Sequence, residues 1–402
     1  MIIKEHQHVT QTKTQIFKRF LKFGCLAWGG PVAQIAMIRQ ELVEEKKWVT
    51  REKFNRALSV YQILPGPEAH EMCVYFGMLA GGRWGGFIAG LAFMLPGFIL
   101  MLLLTLFYIT FGIKSTLFQF VFVGLQVAVI ALIFSAVHRI GKHVLINNKL
   151  VAIAAASFVG YICGLPFYII LPFAGIIYIV WMRGKLILTS FIGIGFTAAC
   201  FLFFTPEIFN LQTTTATFIE SAHHSPATPL QIFFTGLKGG LLTFGGAYTV
   251  IPFIQHDAVT NYGWLTNQQF LDGIALSGIL PAPLIIFTTF VGYFGGGWPG
   301  AVIITLGIFL PAFSFTLLGH GLMEKLIENK SLHNFLDGIT AGVIGLITLT
   351  AIQLLRTTIT DWFTLILFIL CLVILFRIKS KFTAVFVLLG SGLISLVYLS
   401  VF

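Results

Sequence analysis

Glu68, His70 and Glu71 follow Pro65-Gly66-Pro67 at the start of an apolar stretch. Ionisable side chains are expensive at membrane depth, so a functional role is their default reading. Glu68 stands in the first turn, where the helix dipole favours a carboxylate and a capping role suffices. Glu71 and His70 are the better candidates for carrying a coupled proton. Lys22 and Lys238 each precede a Gly-Gly pair by seven residues, about 10 Å of helix. They either attract an anion or snorkel to the interface as anchors. Arg83 lies within Gly81-Gly82-Arg83-Trp84-Gly85-Gly86. Its planar fork suits a tetrahedral oxyanion arriving or leaving on one face, and its charge equally suits a cytoplasmic turn. Gln34 and Gln126, neutral and inside apolar spans, either line a cavity or hydrogen-bond between helices.

Four breaks would position these groups: Gly29-Gly30-Pro31, Pro65-Gly66-Pro67, Gly245-Gly246 and Pro281-Ala282-Pro283. Gly costs about 1 kcal/mol in a helix interior and Pro about 3 kcal/mol, so these sites interrupt helices. Interrupted backbone is tolerated at membrane depth only where protein or a water-filled cavity satisfies it. A helix starting just after such a break aims free N–H groups and a partial positive charge at that cavity. Four such starts, two from each face, would surround one small oxyanion near the midplane. The bland alternative is that the glycines and prolines only kink helices for packing.

The breaks come in register. Residues 21–67 and 237–283 are one segment written twice at a shift of 216. Leu21-Lys22, Gly24 and Gly29-Gly30 recur as Leu237-Lys238, Gly240 and Gly245-Gly246. Trp48-Val49-Thr50 recurs as Trp264-Leu265-Thr266, and Pro65-Gly66-Pro67 as Pro281-Ala282-Pro283. The loop from Arg39 to Arg56 holds six Lys/Arg, whereas its counterpart from Gln255 to Asp272 holds none. Basic loops stay cytoplasmic, so the two copies are expected to lie upside down relative to each other. Apolar segments fall at 16–38, 58–80, 84–111, 118–137, 150–164, 165–182 and 186–204 in the first half. The second half offers 233–254, 273–294, 298–319, 336–355, 361–376 and 383–402. The 186–204 segment has no partner, and one extra crossing inverts the second copy. If the first two segments of each half are re-entrant, nearly every Lys and Arg becomes cytoplasmic, the turn with Arg83 included; Lys114, Lys238 and Arg356 are the exceptions. The expected fold is an all-α polytopic membrane protein of two inverted-topology repeats with broken or re-entrant helices. Its domains are residues 1–185, a linker crossing and extracytoplasmic loop at 186–232, and 233–402.

Composition fits a bilayer: 57% of residues are apolar and 10% charged, with a mean hydropathy of +0.92. Soluble domains run near a quarter charged. The net charge of +10 sits in short loops, where orientation needs it, so nucleic acid is not an expected partner. Lipid is, and a homodimer is compatible with the reading. The N-terminal stretch to Thr14 lacks the apolar core of a cleaved signal and reads as a retained cytoplasmic tail. Five cysteines form no CxxC pair, so neither a disulfide framework nor a zinc site is expected. His223-His224, in a polar linker without further ligands, reads as solvated. No P-loop, GxSxG, HExxH or dinucleotide fingerprint occurs, and neither an enzyme nor a cofactor is expected.

The pattern FxxFGxxxWGGPxAQI from Phe20 to Ile35, then WVTREKF, then LPGPEAHEMCVYFGMLAGGRWGG from Leu64 to Gly86, resembles the chromate ion transporter (CHR) family. FTGLKGGLLTFGGAYTVIPFI and WLTNQQFLDGIALSGILPAPL resemble its second domain, which makes this the long two-domain form. The resemblance implies export of chromate, a sulfate-shaped dianion, from a bacterial cytoplasm through the cell membrane. It implies roles for Gly29, Gly30, Pro31, Pro65, Gly66, Pro67 and Arg83, and for Gly245, Gly246, Pro281 and Pro283. Two departures stand out: a histidine at position 70, and softer breaks in the second half.

Overall fold

The computed structural model describes residues 11–62, 64–112, 115–203, 227–327, 329–378 and 380–401, and no strand occurs among them. The first half holds α1 (Lys13–Cys25), α2 (Gly30–Arg39), α3 (Arg51–Tyr61), α4 (Glu68–Phe107) and α5 (Thr116–Val144). It continues through α6 (Asn148–Ile162), α7 (Phe167–Met182) and α8 (Leu186–Phe203). The second half holds α9 (Pro229–Leu241), α10 (Ile251–Gln255), α11 (Asn267–Ile279) and α12 (Phe287–Ile327). It ends in α13 (Lys330–Thr358), α14 (Trp362–Arg377) and α15 (Thr383–Val401). Lys114 and the His223-His224 pair lie outside the described residues. Among the described residues, six stretches are long and apolar enough to cross a membrane: Glu68–Gly112, Thr116–Val144, Leu186–Phe203, Leu284–Gly319, Lys330–Thr358 and Thr383–Val401. The protein is an all-α polytopic membrane protein.

The sequence repeat extends to local conformation. Thr12 accepts from the Gln15 N–H while Gln15 Oε1 accepts from the Thr12 N–H, and Thr228 with Gln231 repeats this box 216 residues on. Thr50 and Thr266 cap α3 and α11, a contact worth about 1 kcal/mol each. After α2 the chain widens into an i→i+5 turn over Gln40–Glu45, and after α10 into another over His256–Asn261, in the same register. Such turns recur at functional sites.

α4 is a helical hairpin rather than one rod. Its backbone leaves helical geometry at Gly81 and at Gly82 (φ 63°, ψ −164°), and α12 does the same at Gly296 and at Gly297 (φ 62°, ψ −155°). Positive φ is open to glycine and strained for other residues, which is why both turns are glycine-rich. Gly77 lies against Gly85 and Ala89, and Gly292 against Gly300 and Ile304, so each first arm folds back on its second. The first arm of α4, residues 68–80, is about 20 Å long, short of the ~30 Å hydrocarbon core; the second arm is long enough to cross. The two hairpins superpose at a shift of 215, which places Trp298 opposite Arg83. Trp84 and Trp298 stand exposed at the tips, a position tryptophan favours at membrane interfaces.

α1 runs beside the second arm of α4 in the same direction, with Ile16 at Gly81 and Gly24 at Phe93 and Pro96. α2 then returns, since Glu41 just beyond it meets Arg19 and Lys22 on α1. The second copy repeats both contacts: Ile232 meets Gly296, Gly240 meets Ile308 and Pro311, and Asp257 meets Lys238. Glycine at these crossings lets backbones approach closely. One boundary differs from expectation. Helix begins at Arg51 and Asn267, ahead of the apolar segments at 58 and 273, because capping threonines start it in polar sequence.

The chain divides into two units that do not follow the repeat boundary. The first comprises 1–132, 226–324 and 358–402; the second comprises 133–225 and 325–357. The first has a phenylalanine-rich core in which Phe20, Phe23, Phe54, Phe76, Phe93, Phe270, Phe287, Phe290 and Phe309 are fully buried. The second packs Leu150, Ile153, Ala174, Ile177, Tyr178 and Ala341 together. Its α8, the segment without a repeat partner, leaves Ile187, Phe191, Ile194, Phe201 and Leu202 exposed.

Candidate functional site at the paired helix breaks

All four breaks lie in the first unit. The Gly66 N–H donates to the Thr243 carbonyl at 2.9 Å, which ties the second break of copy one to the residues before Gly245-Gly246. A methyl group at Gly66 would lie 3.4 Å from Ala312, and Ala282 in turn packs on Gly97, the position equivalent to Ala312. Each Pro-x-Pro break therefore rests on the other copy's long hairpin. The arrangement is not fully symmetric. Gln34 donates to the Ala27 carbonyl at 2.9 Å, which occupies the acceptor equivalent to Thr243, and Val250 stands where a second glutamine would be.

The helix starts differ between copies. α2 begins at Gly30 with Pro31 in its first turn, and α4 begins immediately after Pro67. Copy two passes first through short 3-10 turns, Ala247–Val250 and Leu284–Ile286. Copy one thus presents the sharper N-terminal N–H sets. Gly30 (φ 76°) and Gly246 (φ 126°) have nothing within 4 Å of where a side chain would begin. The backbone at both breaks is reachable because no side chain stands there. Gly29, by contrast, is covered by the backbone of Lys381 at the turn before α15.

Glu71 is fully buried, and neither carboxylate oxygen has a hydrogen-bond partner among the described residues. A methyl at Gly66 would lie 3.0 Å from Glu71 Oε1, so this carboxyl sits against the break itself. An ionised, unpaired carboxylate in such surroundings costs several kcal/mol. Glu71 therefore calls for a proton, or for a partner arriving with substrate. Its counterpart, Phe287, offers no such chemistry. His70 is also fully buried, but its ring packs 4.8 Å from Phe309 and 4.7 Å from Phe313, with Phe93 beyond. That is an aromatic contact between the copies, while Glu71 is the residue at the break.

The cations are placed elsewhere. Lys22 pairs with Glu41 at 3.0 Å, as does Arg19 at 3.1 Å, and Lys238 pairs with Asp257, which Thr235 also contacts at 3.2 Å. These repeat-related pairs tie each returning helix to the helix that precedes it. Lys238→Met is expected to destabilise the fold by less than the roughly 3–5 kcal/mol of a fully buried pair, because Lys238 is 40% exposed while Asp257 is 2% exposed. Adding Asp257→Asn should restore the thermal midpoint; no recovery would show that the lysine acts elsewhere. Arg83 stands exposed at the hairpin tip, and the structure does not bring it to the breaks.

One cluster was not foreseen from the residues alone. Asp272 on α11 accepts from Tyr108 Oη at 2.6 Å and from Gln126 Nε2 at 2.8 Å. Gln126 is thus an interhelical hydrogen-bonding residue, and Gln34 bonds locally, to the carbonyl seven residues before it. The available signal was an aspartate alone in an apolar helix, where copy one has Arg56.

Comparison with known proteins places this architecture. The Chromate transporter family model matches residues 14–181 and 230–396. The chain is 49% identical to a chromate transport protein of Pseudomonas aeruginosa, over 94% of this chain and 91% of that one. It is 30% identical to a chromate transport protein of Cupriavidus metallidurans, over 98% and 94%. An uncharacterized transporter of Methanocaldococcus jannaschii is 31% identical over 90% and 89%. No solved structure matches the chain. The chain belongs to the chromate transporter family, in its long two-domain form.

Proposed function

We propose that the protein is a secondary transporter that exports chromate across a bacterial cytoplasmic membrane and accepts sulfate-like dianions at the same site. The carrying observation is the meeting of two copies' breaks through Gly66 and Thr243, with open approaches at Gly30 and Gly246. Free N–H groups at helix starts recognise a tetrahedral dianion without a resident cation. Pro31, Pro65, Pro67, Pro281 and Pro283 hold those starts open, since a proline nitrogen cannot extend the preceding helix. Glu71 is the group beside the anion that takes a proton as the anion binds. Ionised, it repels a dianion; protonated, it becomes a donor to it. His70 packs the copies together, Lys22 and Lys238 clamp the returning helices, and Arg83 attracts anions at the cytoplasmic mouth while remaining hydrated.

Alternating access through inverted copies is part of the proposal. In support, the second arms of α4 and α12 pass in opposite chain order, with Gly86 at Leu317 and Gly90 at Phe313. Equivalent helices that run antiparallel are what opposite insertion requires. Single cysteines at Lys47 and Asn261 in a Cys-free background should label from opposite sides of the membrane. Labelling from the same side would end the inverted reading. Arg83→Gln should weaken apparent affinity by less than about ten-fold, because a hydrated charge contributes on the order of 1 kcal/mol. Transport itself is tested in inside-out vesicles: uphill chromate uptake that sulfate inhibits and an uncoupler collapses supports the proposal, and unitary currents would make the protein a passive channel.

A further inference from the structure

Asp272 is 4% exposed and Tyr108 is similarly buried, with Gln126 at 9%, so this is a carboxylate network removed from water. No cation lies within ion-pairing distance of Asp272 among the described residues. The packed elements offer none. α11 carries no other charged residue, α15 has no Lys, Arg, His, Asp or Glu, Leu284–Ile286 is apolar, and the α12 arm against α11 and Tyr108, residues 287–295, is uncharged. Residues 116–132 of α5 are uncharged, and the charged groups of α4 (Glu68, His70, Glu71 and Arg83) all precede its long second arm, whereas Tyr108 follows that arm. Phe122, Phe290 and Phe294 surround the Tyr108 ring.

The partners are the kind that serve both protonation states. Each Asp272 oxygen now accepts one hydrogen bond, which satisfies the carboxylate. When a proton adds, that oxygen becomes a donor. The tyrosine hydroxyl can rotate to accept it, and the glutamine amide can turn its oxygen inward. A purely structural acid would need only fixed donors. Two further features mark the place. Tyr108 opens an i→i+5 turn, Tyr108–Gly112, at the end of α4, a distortion that recurs at functional positions. The network also joins copy one, through Tyr108 and Gln126, to the copy-two helix that leads into Pro281-Ala282-Pro283.

We propose that Asp272 is a proton-binding site that gains and loses one proton in each transport cycle, with Tyr108 and Gln126 accommodating both forms. An O–H bond forms at an Asp272 carboxylate oxygen with a proton taken from water on one side, and it breaks to water on the other. The ionised form, held by two donors, fastens α11 to α4 and α5; the protonated form loosens it. This couples a proton gradient to movement of the copy-two break, and it rests on the transporter reading above.

The test uses full-length protein in liposomes, with chromate as the probe. Wild type should show chromate–chromate exchange without any gradient, and net chromate flux should rise several-fold under an imposed pH gradient. Asp272→Asn, which preserves shape, should keep the exchange and lose the stimulation, while Asp272→Glu should retain both. In infrared difference spectra on chromate addition, wild type should show, besides the band of Glu71 that Glu71→Gln removes, a second protonated-carboxyl band that Asp272→Asn lacks and that Tyr108→Phe shifts in frequency. Stimulation that survives in Asp272→Asn overturns the proposal, as does an unchanged carboxyl band or a wild type indifferent to the pH gradient. Exchange in those cases leaves the transporter reading standing. If Asp272→Asn does not fold, the Tyr108→Phe band position decides. Absence of exchange in wild type counts against the transporter reading and the proton site together.

Discussion

Gly30→Val and Gly246→Val are each expected to abolish chromate transport while the protein stays folded in the membrane. Neither position is crowded, because nothing lies within 4 Å of the added side chain's first atom. The first atom of the new side chain therefore meets no clash at either position. Two effects remain: a strained backbone at positive φ, about 1–2 kcal/mol, and a branched side chain standing in the approach to the free N–H groups. Gly184 separates them. It has φ 71°, also has nothing within 4 Å, and lies in the second unit between α7 and α8. Gly184→Val matches Gly30→Val in φ and should transport normally, whereas Gly246, at φ 126° and ψ 160°, lies where only glycine is at ease and carries the larger strain. If all three variants fail alike, strain is the cause and the oxyanion does not sit at the breaks. Detergent size-exclusion profiles and thermal midpoints check that each variant is folded.

Glu71→Gln is expected to remove the pH dependence of anion affinity. The amide keeps the side chain's shape and donates a hydrogen bond, as the protonated acid would, but it cannot ionise. In wild type, anion and proton favour each other's binding, and the coupling is reciprocal. Apparent affinity should therefore rise as pH falls, by at most about ten-fold per pH unit for one linked proton. Sulfate is the ligand for this measurement, since it remains a dianion where chromate begins to protonate. Sulfate competition should be steep with pH in wild type and flat in Glu71→Gln. Neighbouring Glu68 stays ionisable in both proteins, so a slope that persists in the variant would transfer the role to Glu68.

Much of this site was legible because breaks are written in residues that can do little else. Gly-Gly and Pro-x-Pro inside apolar sequence forecast interrupted helices, and their recurrence at one spacing forecast a pair of sites. The glycine-rich runs around Arg83 and Trp298 likewise marked turns, and both proved to be the tips of helical hairpins. What escaped is what depends on partners distant in sequence. Glu41 and Asp257 occupy equivalent positions, yet nothing in their surroundings revealed that they hold Lys22 and Lys238. His70 read as a proton carrier because a membrane histidine usually is ionisable chemistry; that its ring packs on Phe309 and Phe313, some 240 residues away, was not legible. Asp272 carried the weakest signal of all, one acid in an apolar helix, and its meaning came from Tyr108 and Gln126 in the other copy.

The most direct test of the central claim is sulfate-sensitive chromate counterflow in liposomes holding wild type, Gly30→Val, Gly246→Val or Gly184→Val. Liposomes loaded with unlabelled chromate are diluted into a trace of labelled chromate, so the signal needs no knowledge of the coupling ion. The account predicts transient accumulation of label by wild type and Gly184→Val, suppressed by external sulfate. It predicts none by the two break variants. Accumulation by Gly30→Val and Gly246→Val at the wild-type rate would contradict it, because chromate would then be crossing without the breaks.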